Sequence, residues 1–176
     1  MSKNARFIAR AALIAAVYTL LTFLTQSFAS GAIQLRFSEA LCVLPLIFPE
    51  AVPGLYVGCL VSNIVTGCHI VDIIFGPLAT LGGAYFTYKI GFKLTPVNMS
   101  RYWLALAFPI LFNMFITGTV VWFCYGFTGF GIESSHAWKL LPLTMLTVGF
   151  GEVLSIYGVG TLFYLGLRKL PVNVLA

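Results

Sequence analysis

Charge is the scarcest property of this sequence. Asp, Glu, Lys and Arg make up 9% of its 176 residues, whereas 60% are hydrophobic and the mean hydropathy is +0.98. A soluble domain carries roughly 25% charged residues. This chain therefore cannot cover a globular surface in water, and a water-soluble enzyme or binding module is excluded. The strict apolar–polar alternation of a membrane barrel strand is missing too. The apolar runs are continuous, as from Ala11 to Phe28. A bilayer core admits only helices or closed barrels, so the composition reads as an all-α integral membrane protein.

Catalytic signatures are equally absent. There is no GxSxG, no HExxH and no glycine loop with a Walker lysine, which removes the usual marks of serine hydrolases, zinc proteases and nucleotide-driven pumps. A chain like this that moved a solute against a gradient would need a partner to hydrolyse ATP. The four cysteines (Cys42, Cys59, Cys68, Cys124) show no CxxC spacing and read mainly as small buried hydrophobes. Cys68 and Cys124 both fall near the outer surface, where a disulfide is conceivable. Cys68, His69 and Asp72 lack a fourth spaced metal ligand, so no metal or cofactor is expected. The net charge is +5, but the basic residues sit at helix ends and form no aromatic-interleaved patch, so nucleic acid is not an expected partner.

What is present is room for one transmembrane domain, residues 1–176, of five to six spans at ~20 residues each. Six helices can be drawn: about Phe7–Phe28, Ser38–Phe48, Val52–Thr66, Asp72–Phe92, Tyr102–Phe123 and Trp138–Leu167. The basic N-terminus resembles a signal peptide, but its apolar stretch is too long and Thr25-Gln26-Ser27 is a poor cleavage context; it reads as the first helix. The second and third helices are short and separated by Pro49 to Gly54. Broken spans of this kind are tolerated where protein or a cavity covers them, and they point to a binding site. With the N-terminus inside, eight of the ten basic residues are cytoplasmic and only Arg36 and Lys139 lie outside. The positive-inside rule then puts both termini in the cytoplasm.

The few intramembrane polar residues carry the functional signal. Glu152 is the only acidic residue between Lys139 and Leu167. A charge at bilayer depth costs ~3 kcal/mol on insertion scales unless it faces a cavity, a partner or a ligand; a protonated glutamic acid bonded between helices is the alternative. Asn113 and Glu152 fall halfway along adjacent helices. Glu39, Asn63 and Asp72 fall near outer helix ends, and Arg36 and Trp122 lie at the same level. Together they suggest a pocket open to the outside, beneath two outer connections: Ala29 to Phe37, with Gln34, and the glycine-rich stretch from Cys124 to Ala137, with His136. Three carboxylates against one arginine favour a ligand with N–H donors or positive charge. Trp122, Tyr125 or Phe127 are candidates to stack on a flat ring, or simply belong to the interfacial belt.

Ala11, Ala12, Ala15 and Ala16 form overlapping small-xxx-small steps, a face that lets another helix approach closely. That helix lies either within this protein or in another subunit.

Four segments carry a resemblance: ARAALIAAVYTLLT at 9–22, RFSEALCVLPLIFPEAVPGLYVGCLVSNIVTG at 36–67, DIIFGPLATLGGAYFTY at 72–88 and GEVLSIYGVG at 151–160. The chain resembles a substrate-binding S-component of an energy-coupling factor (ECF) transporter, and within that group the queuosine-precursor transporter (QueT) family. The resemblance implies a six-transmembrane-helix bundle in the plasma membrane that captures a 7-deazaguanine, such as the prequeuosine base or queuine, from outside. It implies assembly with a transmembrane coupling subunit and two ATPases, docked on an AxxxA face that falls here on Ala11 and Ala15, with Ala12 and Ala16 beside them. Another vitamin-like heterocycle, or an intramembrane enzyme centred on Glu152, is the alternative reading.

Overall fold

The computed structural model describes residues 2–26, 35–92, 99–125 and 140–169. Gln34, Phe127, His136, Lys139, the Tyr125 side chain and most of both outer connections lie outside the described residues. Among the described residues there is no strand. Six helical rods follow one another: α1 (Lys3–Leu24), α2 (Phe37–Leu46), α3 (Ala51–Val65), α4 (Ile70–Gly91), α5 (Met99–Phe112, running on through Asn113–Thr117 and Gly118–Tyr125) and α6 (Leu141–Glu152, running on through Val153–Gly160 and Thr161–Arg168). The order matches the six expected helices. Four rods are long and apolar enough to cross a membrane, while α2 and α3 are shorter apolar helices.

The local reasons are legible at the ends. α1 starts four residues before Phe7 because the Ser2 hydroxyl caps it, accepting from the Ala5 N–H at 3.2 Å. α4 is capped by His69, whose Nδ1 accepts from the Val71 N–H. α2 departs most from expectation. It is wound as a 3₁₀ helix with Pro45 inside, and every residue from Ser38 to Leu46 is buried. Ten 3₁₀ residues span about 20 Å at ~2.0 Å each, and the fifteen of α3 about 22 Å at 1.5 Å each. Both fall short of a ~30 Å hydrocarbon core. Poor helix geometry survives in α2 because protein, not lipid, surrounds it.

The molecule is apolar outside and holds a set of buried polar side chains within its apolar core. Leu13, Leu20, Phe75, Phe115, Leu146 and Leu162 are exposed, whereas Ser38, Glu39, Asn63, Asp72, Asn113, Glu152 and Ser155 are buried. Lipid tails give helices no hydrophobic reason to associate, so close backbone approach has to do it. α1 packs chiefly on α3. A methyl group at Gly58 would lie 2.8 Å from the Tyr18 Cβ and 3.1 Å from the Ala15 carbonyl oxygen, and one at Gly54 would lie 2.8 Å from the Ala11 oxygen. α2 is held against α6 in the same way: a Cβ at Gly160 would meet the Ala40 oxygen at 2.9 Å.

Candidate functional site

Three stretches abandon α geometry, and they meet. α2 is 3₁₀, α5 is π-wound over Asn113–Thr117, and α6 is π-wound over Val153–Gly160. α2 packs on the π segment of α6, and Asn113 of the α5 segment is bonded to Glu39 of α2. Long π segments are rare and cluster at functional sites. Each of these carries or adjoins a buried polar side chain: Glu39 in α2, Asn113 at the start of one π segment, and Glu152 just before the other.

Glu39, 1% exposed, is the hub. Its Oε1 accepts from the Tyr18 hydroxyl of α1. Its Oε2 accepts from Cys42 Sγ at 3.0 Å and from Asn113 Nδ2 at 3.3 Å. The Asn113 amide is oriented in turn by Thr117, whose hydroxyl donates to Asn113 Oδ1 at 3.1 Å, and the same side chain reaches Glu152. One amide therefore stands between two carboxylates from different helices. The sequence placed Glu39 near the outer end of its helix. Its bond to the middle of α5 puts it deeper, because the short α2 begins well inside the bundle.

Asp72 lies in the first turn of α4 and is 1% exposed. Asn63 of α3 donates its Nδ2 to the Asp72 carbonyl at 3.0 Å, tying α3 to α4. Arg36 approaches Asp72 Oδ2 at 3.6 Å, too long for a direct hydrogen bond. Arg36 is also within electrostatic reach of Glu39 and Glu152. Arg36 therefore stands against Asp72 and acts on Glu39 and Glu152 through space, one cation for three buried carboxylates.

Not every acceptor is spent. Both Asp72 carboxylate oxygens, Glu152 Oε2 and the Ser155 hydroxyl are buried with no hydrogen-bond partner among the described residues. Buried polar groups are bonded in the large majority of cases, so these four atoms, two on Asp72 and one each on Glu152 and Ser155, require an explanation. Acceptors left open inside a membrane protein suit a ligand that arrives with donors.

Trp122 is placed differently. It lines an apolar groove between α4 and α5 with Val71, Phe75, Phe115 and Phe123. The alanine face is split. Ala11 and Ala15 lie against Gly54 and Gly58 of α3, so they serve internal packing, while Ala12 and Ala16 are exposed. Ala16 lies along a shallow groove of about 540 Å³ with Thr19, Phe23, Val61 and Val65. Cys68 and Cys124 are both free thiols; Cys124 instead contacts the His69 Nδ1 at 3.3 Å. Among the described residues, no three metal-ligating side chains converge.

Sequence reasoning missed Tyr18 and Ser155 and treated Cys42 only as an apolar filler. Tyr18 offered one signal, a phenol in the middle of an apolar helix. Ser155 offered another, lying three residues from Glu152.

No curated protein and no solved structure matches this chain. A family model described as QueT transporter matches residues 8–169, nearly the whole of this membrane-type helical chain: the chain belongs to the QueT transporter family.

Proposed function

We propose that this chain is the membrane subunit that captures a queuosine precursor, a 7-deazaguanine, from outside the cell for uptake. The observation that carries the reading is the set of unpartnered acceptors on Asp72 and Glu152, beside a single arginine, inside a transporter-family protein. A deazaguanine brings N–H donors along its ring edge, and an aminomethyl substituent adds an ammonium. Both are what such a cluster lacks. The ligand class comes from the family resemblance; the charge balance of the site agrees with it.

In this reading α2 and α3 complete a six-span bundle in the plasma membrane, both termini are cytoplasmic, and the cluster is reached from the outer side. Energy comes from an ECF-type coupling subunit with two ATPases. The exposed Ala12 and Ala16 on the outer face of α1 offer that subunit a close approach, and Ala11 and Ala15 support it from behind by fixing α1 on α3. Asp72 and Glu152 would meet the ligand, Glu39 and Asn113 would order the site around Glu152, and Arg36 and Asn63 would hold Asp72; Trp122 would act from the neighbouring groove. Membership of a transporter family makes the intramembrane-enzyme reading the weaker one.

A thermal-shift screen of the purified chain tests this. A ligand at 100 times its Kd stabilises the folded state by about 2.7 kcal/mol, so 7-deazaguanines should raise the melting temperature and unrelated vitamins should not. A folded protein that responds to none of the deazaguanines contradicts the proposal.

A further inference from the structure

The buried carboxylates differ in what stands beside them. Glu39 is saturated: one oxygen takes the Tyr18 hydroxyl and the other takes Cys42 and Asn113. It organises the site and has little left to offer a ligand. Asp72 has both carboxylate oxygens free of hydrogen bonds but stands 3.6 Å from the Arg36 guanidinium. That pair is neutral overall and presents an acceptor and a donor side by side. The Asp72 and Asn63 side chains lie directly over Gly76, where a Cβ would come within 2.9 Å of Asp72 Oδ1 and of Asn63 Nδ2. Glu152 is the opposite case. Its Oε2 is unpartnered, it is 3% exposed, and its neighbours are an amide and a second carboxylate, with Arg36 acting on it only through space while standing directly against Asp72. Ser155, wholly buried and also unpartnered, follows three residues later in the π segment.

We infer that the cluster is bipartite. Glu152 and Ser155 receive a positively charged amine, and Asp72 with Arg36 receives a neutral donor–acceptor edge such as the N–H and C=O of a lactam ring. The assignment rests on the capture reading above. An ammonium carries three donors and no acceptor, so it can bond to Glu152 Oε2 and the Ser155 oxygen together while offsetting the negative charge at Glu152. At Asp72 the same ammonium would meet Arg36, a like charge. A lactam edge fits there, with its N–H on the carboxylate and its carbonyl on the guanidinium. A neutral ligand at Glu152 would leave buried acceptors unpaired, and that failure is what separates substrates most sharply. Glu152 is thus the residue that selects for charge, and Asp72 the one that selects for the ring.

Equilibrium titration of the purified full chain with two probes tests the division: a 7-deazaguanine bearing an aminomethyl group, and the same ring bearing a neutral methyl group. Wild type is expected to bind the amine at least tenfold more tightly. Glu152→Gln should bring that ratio close to one, mainly by weakening the amine, and its remaining affinity for the neutral ring reports that the variant is folded. Ser155→Ala should narrow the ratio several-fold. Asp72→Asn should weaken both probes by the same factor and leave the ratio intact. A wild type with no preference, or a Glu152→Gln that keeps the full preference, overturns the inference; should Glu152→Gln not fold, the wild-type ratio and Ser155→Ala decide. A folded wild type that binds neither probe overturns the capture reading itself, and this assignment with it.

Discussion

Replacing Glu39 by Gln keeps the shape of the hub and changes one atom from acceptor to donor. The Oε1 position can still accept from Tyr18. The Oε2 position becomes an NH₂ that faces Cys42 Sγ at 3.0 Å and Asn113 Nδ2 at 3.3 Å, so donor meets donor twice. The Asn113 bond can be recovered if its amide turns over, which the Thr117 hydroxyl at 3.1 Å can follow by rotating. Turning the amide then presents its oxygen, instead of its nitrogen, to Glu152. A net hydrogen bond contributes about 1 kcal/mol, and intramembrane bonds average ~0.6 kcal/mol. Two disturbed contacts should cost about 1–2 kcal/mol of stability, a fall in melting temperature of about 2–8 °C at ~2–4 °C per kcal/mol for a chain of this size. Because the Asn113 amide also reaches Glu152, ligand affinity should drop tenfold or more, about 1.4 kcal/mol. Titration calorimetry and thermal unfolding of the same preparation read both quantities. A Glu39→Gln protein with wild-type melting temperature and wild-type affinity would refute the hub.

Three further outcomes are expected. Gly58→Val should destabilise strongly, by more than about 2 kcal/mol, because the added atoms run into Ala15 backbone and the Tyr18 Cβ and overpacking costs ~1–3 kcal/mol even where side chains can move; Gly67→Ala, at φ +70° with open space around it, should cost only about 1 kcal/mol, and comparison of the two melting curves checks this. Ala12→Leu with Ala16→Leu should leave stability and ligand titration unchanged but abolish uptake in cells that also express the coupling module; uptake at wild-type rate would move the docking face elsewhere. Arg10 and Glu50 form an ion pair at 3.2 Å, with the Glu50 side chain 8% exposed. Removing Arg10 alone should therefore destabilise more than removing both partners together, because the lone change strands a buried carboxylate, and chemical denaturation of the single and double variants measures the difference.

The fold class was written in composition, and the helix positions in the spacing of breakers and apolar runs. Charge scarcity decided the membrane, and Pro49 to Gly54 marked the boundary of two short helices that the structure keeps short. The inward orientation of Glu39, Asp72 and Glu152 followed from the cost of facing them to lipid. Winding was not legible. Whether a segment becomes 3₁₀ or π depends on what packs around it, and neither α2 nor the segments after Phe112 and Glu152 advertise it in residue type. The depth of Glu39 was hidden for the same reason, since counting from a helix end assumes that the end lies at the membrane surface. The alanines of α1 were legible as a contact face, but which pair turns inward depends on where Gly54 and Gly58 stand, a pairing between helices that periodicity along one helix cannot supply. Trp122 shows the converse limit: shared depth does not mean a shared cavity.

The most direct test is a structure of the full chain with a bound 7-deazaguanine. The account predicts the ligand's amine within about 3 Å of Glu152 and its ring edge within hydrogen-bond reach of Asp72 and Arg36. A ligand seated in one of the apolar grooves, such as that lined by Ile110, Met114, Leu146 and Phe150 between α5 and α6, with all three carboxylates untouched, would contradict it.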